Sequence, residues 1–328
     1  MRADASPHAC AGAKGNMLFC DTTGYEVDDM KPRIFSEYCR FALLFVLALP
    51  SVGNASAASA HGPRALLFIP YRGDDLSFSE AAYRGYERLR KDGYAIDVVQ
   101  NADKLNTRQT MAIIDRRYVA GTRSFILAGA EMSAVATVEA QRHPDAYFAT
   151  LSGNAKGPNV INYCLDCRQI GGLLAGQAAV RLSTSRVVGF VGGVRYVEGA
   201  EAARFQATVL HEAPDAKVLI DWTGNWSDRR RAVQLTEQQI AAGADVVVSD
   251  ANVAVTAAAS RHRHVKVIGW MVDASRQYHN VAASVIINTD VVFQRFLDAV
   301  ASGRFKSGDY TVEEADKVWV IVWPRSSQ

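Results

Sequence analysis

The chain has few cysteines and little net charge. Its 328 residues include five cysteines, and the formal net charge is only +2. A chain so close to neutral has no strong field to attract nucleic acid or an anionic membrane, so we expect no nucleic-acid partner. Hydrophobic residues make up 49% of the chain and charged residues 21%. This composition is typical of a globular protein and argues against a disordered chain or a polytopic membrane protein.

Compact catalytic and cofactor motifs are also missing. The sequence has no G-x-S-x-G nucleophile elbow, no H-E-x-x-H metal motif and no P-loop. Gly192 and Gly193 follow an apolar run but do not complete the G-x-G-x-x-G dinucleotide fingerprint. The basic cluster at 261–264 lies at a predicted helix end, where cations suit the helix dipole and solvent better than a metal site. We therefore expect no catalytic residue, no metal and no cofactor.

The first sixty residues differ from the rest of the chain. A basic stretch that begins at Met30 precedes an apolar run at 41–49, and small residues follow up to Ala60. A basic stretch, a short apolar stretch and an Ala-x-Ala site are typical of a secretory signal peptide, here with cleavage near Ala57 or Ala60. The apolar run is well short of the ~20 residues that a transmembrane helix needs.

Translation is therefore expected to start at Met30, with residues 1–60 as a signal peptide region and a mature chain that begins near His61. Cys39 precedes the apolar run, so no cysteine is placed for lipid attachment. These features predict a soluble, periplasmic product. The alternatives are a genuine N-terminal extension or an uncleaved anchor.

Two cysteines, Cys164 and Cys167, follow the signal peptide region. In an oxidising compartment an isolated pair favours a disulfide over a metal site. The C-x-x-C spacing also occurs in redox motifs, although no thioredoxin-like context surrounds it here. A structural disulfide, free thiols and a redox-active pair therefore all remain open.

From Arg64 onward, short apolar runs alternate with segments of helical periodicity. Most runs are continuous in Val, Ile, Leu or Phe, as in strands buried on both faces of a parallel sheet. Repeated strand–helix–strand units predict a doubly wound α/β fold with right-handed crossovers. The predicted strands are 65–69, 95–99, 124–127, 146–150, 160–163, 187–191, 217–222, 245–249, 265–270, 281–287 and 318–323, with helices at 79–91, 107–120, 171–182, 229–242 and 289–302.

Two sheets accommodate these strands better than one wide sheet, since the pattern restarts at Val187 after a helix. We therefore predict two doubly wound parallel-sheet lobes joined by a hinge. The N-terminal lobe comprises 61–184 plus about 281–305, and the C-terminal lobe comprises 185–280 plus about 306–328. In this arrangement the run at 281–287 and the following helix return to the first lobe, and the final strand goes to the second.

Candidate binding residues follow the first predicted strand. In open α/β sheets, ligands lie beyond the carboxyl ends of the strands. Tyr71, Asp75 and Phe78 stand there, and a carboxylate beside aromatic rings could bind a polyol and a planar ring. The alternative is helix capping, in which Asp75 or Ser77 caps the next helix and Glu80 completes a capping box.

Further candidates follow later strands. Trp226 stands in a polar loop between a strand and a helix, where a planar ligand could cover its ring. Alternatively, it is a lid over a lobe interface, and Asp228 simply caps the following helix. Trp270 and Asp273 end the last inner strand, and a carboxylate there could accept two hydroxyls of a ribose.

Several of these segments together resemble the basic membrane protein family of ABC-transporter substrate-binding proteins, whose best-known members are purine nucleoside receptors. The resemblance extends over about 65–287 of the chain. Its motifs are G-D-D-L-S-F-S at 73–79, N-Y at 162–163 followed by G-G-L-L-A-G at 171–176, G-F-V-G-G at 189–193, G-N-W-S-D at 224–228, G-A-D-V at 243–246 and G-W-M-V-D at 269–273.

The resemblance implies a type I periplasmic-binding fold, with two lobes, three crossings and a ligand in the cleft. Asp75 would bind ligand hydroxyl or amide groups, Phe78 would pack near the base, Trp226 would stack on it, and Asp273 would hold the ribose. Ser79 replaces the family's usual Asn, and residues 270–272 are bulkier than usual, which would suit a smaller ligand such as a free base.

The expected function is therefore that of a periplasmic solute-binding component of an ABC importer. It would bind a purine nucleoside or nucleobase by hinge closure, act as a monomer and deliver the solute to an inner-membrane permease. One alternative is a sensory protein that presents its closed form to a membrane receptor. An enzyme acting on a nucleoside through Asp74 and Asp75 is the other, although no His, Cys or metal partner lies near those loops.

Overall fold

The computed structural model describes residues 61–324. The expected start at Met30 and cleavage near Ala57 or Ala60 lie outside the described residues. In the described part, no helix is both long and apolar enough to span a membrane. The strands are β1 (His61–Phe68), β2 (Tyr94–Val99), β3 (Ser124–Leu127), β4 (Tyr147–Leu151), β5 (Val160–Cys164), β6 (Val187–Gly192), β7 (Lys217–Trp222), β8 (Val246–Ser249), β9 (Lys266–Met271), β10 (Val281–Ile287), β11 (Gly308–Thr311) and β12 (Trp319–Val322).

Helices alternate with these strands along most of the chain. They are α1 (Phe78–Lys91), α2 (Thr107–Val119), α3 (Ser133–Arg142), α4 (Ile170–Leu182), α5 (Arg195–Glu212), α6 (Arg229–Ala241), α7 (Val253–Ala259) and α8 (Thr289–Ala301).

The strands form two six-stranded sheets, one in each lobe. The first has the order β11-β5-β4-β3-β1-β2, and the second has the order β12-β10-β9-β8-β6-β7. All pairs are parallel except β10 with β12. Every residue of the inner strands β3 and β8 is buried, which is the pattern of a sheet covered on both faces. The predicted two-lobed, doubly wound α/β fold is confirmed.

The chain crosses between the sheets three times. The crossings are residues 165–169 after β5, Asn288 after β10, and 312–318 after β11. Helix α4 packs against α5 and the second sheet, whereas α8 packs against α1 and β1 of the first.

Three predicted lobe assignments need correction. The sequence pattern places the run at 281–287 in the first lobe, but β10 lies between β9 and β12 in the second sheet. It also places the helix at 171–182 in the first lobe, but α4 packs on the second. An apolar run reports that a strand is buried on both faces and does not report its neighbours. Residues 308–311 fall in the predicted C-terminal lobe, but they form strand β11, which pairs with β5 in the first sheet. This short edge strand with two exposed residues is itself not predicted.

Asp245 ties the end of α4 to the start of β8. Its carboxylate accepts hydrogen bonds from the Ser183 hydroxyl at 2.6 Å, from the Thr184 amide at 2.7 Å and hydroxyl at 2.8 Å, and from the Ser185 amide at 2.8 Å. Burial raises the pKa of this carboxyl, but the hydrogen bonds outweigh burial and lower the pKa from 3.8 to about 2. The ionised carboxylate is therefore the form that stabilises the fold.

Replacing Asp245 with Asn is expected to destabilise the protein by about 2 kcal/mol at neutral pH. A lowered pKa gives stability that is present above pH 3.8 and is lost as the pH falls through about 2, so the difference should shrink in acid. Urea unfolding at neutral and acidic pH measures it. Asp215→Asn, which removes an exposed ion pair with Arg186, is the control and should cost under about 0.5 kcal/mol. An equal loss for Asp245→Asn at both pH values would contradict the prediction.

Candidate functional site

The carboxyl ends of both sheets carry the predicted binding residues. The loop after β1 and the start of α1 supply the first-lobe candidates, and the loop after β7 and the end of β9 with its following loop supply those of the second lobe. The crossings begin at the same ends of β5 and β10. Parallel strands bring the ends of neighbouring strands to one edge, so each lobe presents one polar rim.

In the first lobe, Asp75 shapes the start of α1. Its Oδ1 accepts hydrogen bonds from the Ser77 and Glu80 amides, both at 2.9 Å, while the Leu76 amide donates to Glu80 Oε2 at 2.8 Å. Asp75 therefore has the predicted capping role, but Ser77 makes no side-chain cap bond, and Glu80 bonds the Leu76 amide, so the predicted capping box does not form. Burial raises the pKa of Asp75 despite these amide bonds, since burial disfavours its charge.

The aromatic candidates of this lobe differ in exposure. Tyr71 is 51% exposed, and its amide donates to Ser79 Oγ at 3.0 Å. Partial burial and the neighbouring acids Asp103 and Glu131 raise the pKa of the Tyr71 hydroxyl. Phe78 is half-buried and packs against the core. The ring of Tyr71 is thus available at the rim, whereas Phe78 is held at the base of the loop.

Leu76 connects the two lobes across this edge. Its side chain packs against the main core and against a second-lobe cluster that includes Val191, Ala251 and Ala274. Its backbone is left-handed, with φ 54°. A non-glycine residue in that conformation is strained and is held by its surroundings, here by the amide bond to Glu80 and the apolar contact.

In the second lobe, Trp226 is fixed in place and remains 42% exposed. Its indole lies over Gly193, where a Cβ would fall 2.4 Å from the ring, and its N–H donates to Glu198. Asp228 accepts from the Arg231 amide at 2.9 Å and so caps α6, as the capping alternative expected. A half-exposed ring with a fixed orientation is a ready stacking surface.

Trp270 and Asp273 lie at the end of β9 in different surroundings. Trp270 is 5% exposed, packs on Gly171 and has its ring centre 5.9 Å from that of Phe190 and 5.6 Å from that of Trp319. It is part of the core behind the rim. Asp273 is half-buried, and its Oδ1 accepts from the Ser275 amide at 3.0 Å and from the Ser284 hydroxyl at 3.2 Å.

Three buried acids of the second lobe, one of which (Glu198) contacts Trp226, were not among the predicted residues. Glu198 and Glu201 lie on α5, and Asp250 directly follows β8; they are 9%, 4% and 4% exposed. The position of Asp250 at a strand end is the same signal that identified Asp273. The two glutamates lie within a helix, where charged residues are usually solvated, and no sequence signal separates them from a surface pair.

Cys164 and Cys167 form a disulfide at the first crossing, with their Cα atoms 5.6 Å apart. Contacts on either side link this crossing to the third. Arg168 pairs with Glu313 at 2.8 Å, and the Trp319 indole donates to the Leu165 carbonyl at 2.7 Å. The cysteine pair therefore lies in the hinge region.

One cluster of possible metal ligands occurs among residues 61–324. Ligand atoms of Asp115, Glu139 and His143 lie within 4.8 Å of one another. The Arg142 guanidinium pairs with Asp115 at 2.9 Å and also with Glu139. Because an arginine already supplies the countercharge, the cluster is an ion-pair network that needs no metal.

Comparison with known proteins agrees with this architecture. The family described as ABC transporter substrate-binding protein PnrA-like matches residues 63–322. A solute-binding protein of an ABC transporter system from Conexibacter woesei is 20% identical with a TM-score of 0.69, over 79% of this chain and 88% of that one. A transcriptional activator of the comK gene from Bacillus halodurans is 16% identical with a TM-score of 0.71, over 81% and 92%.

Curated relatives give the same family. Basic membrane protein A of Borreliella burgdorferi is 25% identical over 192 residues, which is 57% of this chain and 55% of that protein. Basic membrane protein A of Borreliella afzelii is 22% identical over 60% of this chain and 61% of that protein. The chain thus spans between half and two thirds of the length of these relatives. The predicted resemblance is confirmed, and the chain belongs to the PnrA-like family of ABC transporter substrate-binding proteins.

Proposed function

We propose that the protein is the solute-binding component of an ABC importer and binds a purine nucleoside or nucleobase between its lobes. The observation that carries the proposal is the indole of Trp226, which is 42% exposed and held flat by Gly193 and Glu198 at the rim of the second sheet. Family membership supports the transport role. A planar base would cover the indole and bury its remaining surface.

The neighbouring groups have the chemistry to orient such a ligand. Asp75 and Asp273 each offer a carboxylate oxygen beyond the bonds that hold it, and carboxylates accept hydroxyl and amino protons. Tyr71 and Phe78 would flank the ligand from the first lobe. Trp270 would act indirectly, because its buried ring lies behind the rim and supports the end of β9.

Binding would proceed through closure of the lobes. The ligand first contacts one rim, and rotation about the three crossings brings the other rim over it. The closed form would then be recognised by an inner-membrane permease. We place this monomeric protein in the periplasm, where the Cys164–Cys167 disulfide is chemically favoured.

Replacing Trp226 with Ala is expected to lower the affinity for purine nucleosides by roughly tenfold or more, since an aromatic pair contributes about 1 kcal/mol beyond the area that it buries. Calorimetry and thermal shift on residues 61–328, with a panel of nucleosides, nucleobases, sugars and amino acids, measure the effect. Trp323→Ala is the control, because Trp323 is 37% exposed but stacks on Arg181 away from the rim.

The purine assignment fails if the wild-type protein responds only to sugars or amino acids, which would retain the solute-binding role. The site assignment fails if Trp226→Ala and Trp323→Ala bind purines equally well.

A further inference from the structure

Asp250 is a buried acid whose carboxyl group has no hydrogen-bond partner. The residue is 4% exposed, and both carboxylate oxygens are inaccessible to solvent and receive no hydrogen bond of good geometry. The Glu198 carboxyl and the Gly193 amide interact with this carboxyl group. Buried carboxylates are normally paired or hydrogen-bonded, because burying an isolated charge is costly.

The carboxylate oxygens of Glu198 already accept hydrogen bonds from groups other than Asp250. Its Oε2 accepts from the Gly193 amide at 2.8 Å and from the Val194 amide at 3.0 Å, and its Oε1 accepts from the Trp226 indole. Both oxygens of Glu198 are therefore already engaged by other donors. Burial first, and then the charge of Glu198, raise the pKa of Asp250 well above its ordinary value.

A second unsatisfied acid lies on the same helix. Glu201 Oε2 accepts from the Gly172 amide at 2.5 Å, but its Oε1 is buried and without a partner. Its charge adds to the field at Asp250. The rim of the second lobe thus holds three buried carboxyl groups within one interacting set.

The other buried acids in the described chain have partners. Glu139 pairs with Arg142, and Glu80 pairs with Arg84. Asp245 has no cation beside it but accepts four hydrogen bonds. Across residues 61–324, by contrast, no ion pair includes Glu198, Glu201 or Asp250. The protein itself supplies no countercharge at the rim.

We propose that Asp250 and Glu198, together with the Trp226 indole, form a subsite for a positively charged nitrogen of the solute. The ligand class is a planar cationic nitrogen heterocycle, and N-methylated purine nucleosides are the members that match the proposed function, on which this inference rests. The ring would stack on the exposed indole, and the cation would supply the charge that the two carboxyls lack. Attraction between a cation and carboxylates is strong where water is excluded.

The test compares probes that differ by one charge. Calorimetry at about pH 6.5 would compare 1-methyladenosine with adenosine and 7-methylguanosine with guanosine, since both methylated nucleosides are predominantly cationic there. Thiamine, which carries a planar cationic thiazolium ring, serves as a probe that is not a purine. The wild-type protein should bind each methylated nucleoside roughly tenfold or more tightly than the corresponding unmethylated nucleoside.

Asp250→Asn should abolish this preference, measured as the ratio of the two affinities in each pair. Asp228→Asn is the matched control at the same rim, where the carboxylate caps α6, and it should keep the preference. The melting temperature of unliganded Asp250→Asn should not fall, because burial already disfavours the charged form of Asp250 and the substitution puts a neutral group in its place.

Equal binding of cationic and neutral nucleosides by the wild-type protein would overturn the subsite and leave the purine function standing. Binding of thiamine alone, lost in Asp250→Asn, would support the subsite and overturn the purine assignment. Absence of binding by all five probes would overturn both.

Discussion

Replacing Gly172 with Ala is expected to destabilise the protein by about 3 kcal/mol or more. A Cβ at this position would lie 2.2 Å from the Glu201 carbonyl oxygen and 3.0 Å from its carbonyl carbon. Both are backbone atoms of α5, so the clash can be relieved only if two packed helices move apart. Gly176, one turn further along α4, approaches Thr208 and the Phe205 carbonyl in the same way. Urea unfolding of residues 61–328 measures the loss.

Gly199→Ala is the matched control, because Gly199 lies on α5 with only the Arg195 side chain nearby, 3.8 Å from the point that a Cβ would occupy. It is expected to stabilise the protein by up to about 1 kcal/mol, since alanine is a better helix former than glycine. If Gly172→Ala behaves like Gly199→Ala, the close approach of α4 and α5 does not determine stability.

Replacing Glu201 with Gln is expected to stabilise the protein at neutral pH by as much as about 3 kcal/mol. Burial raises the pKa of Glu201 from 4.5 to about 7, against the opposing Gly172 amide bond and with help from the charge of Asp166. Between these two values the folded state holds a proton that the unfolded state has lost. The stability of the wild-type protein therefore falls as the pH rises from about 4.5 to about 7.

Glu201→Gln lacks this titrating proton, so its stability should fall less steeply than that of the wild-type protein between about pH 4.5 and about pH 7. Denaturant unfolding at several pH values measures both slopes, and the residual slope of the variant includes the contribution of Asp250, whose pKa is also raised. Glu212→Gln, at the end of the same helix, is an exposed control that should leave the slope unchanged. Parallel curves for the wild-type protein and Glu201→Gln would contradict the prediction.

Much of the fold could be predicted because buried parallel strands have a strong local signal. The continuous apolar runs at 124–127 and 246–249 correspond to fully buried strands. Strand neighbours depend on contacts that are distant in sequence, and β10 illustrates this, since its apolar run is compatible with either sheet. Strand β11 was not predicted because a short, half-exposed edge strand has no continuous apolar run.

The candidate site was predictable where it depends on strand ends and unpredictable where it depends on helix packing. Trp226 and Asp273 follow strands, and the sequence points to them directly. Glu198 and Glu201 are buried because α5 packs against the glycine face of α4 and because the Trp226 loop folds back over Gly193. Neither contact is encoded by residues close to the two glutamates.

The three crossings also determine how the lobes can move. The Asn288 amide donates to the Val318 carbonyl at 2.7 Å, and its side chain donates to the Lys317 carbonyl at 3.1 Å, so the second crossing is tied to the third. The third is tied in turn to the first through Glu313 and Trp319. The three crossings are linked to one another, and one of them is a single residue long. They allow one lobe to rotate about a common axis but prevent it from sliding along the other lobe. Opening and closing should therefore follow a single angular coordinate, and a solute bound between the lobes as proposed would select one value of that angle.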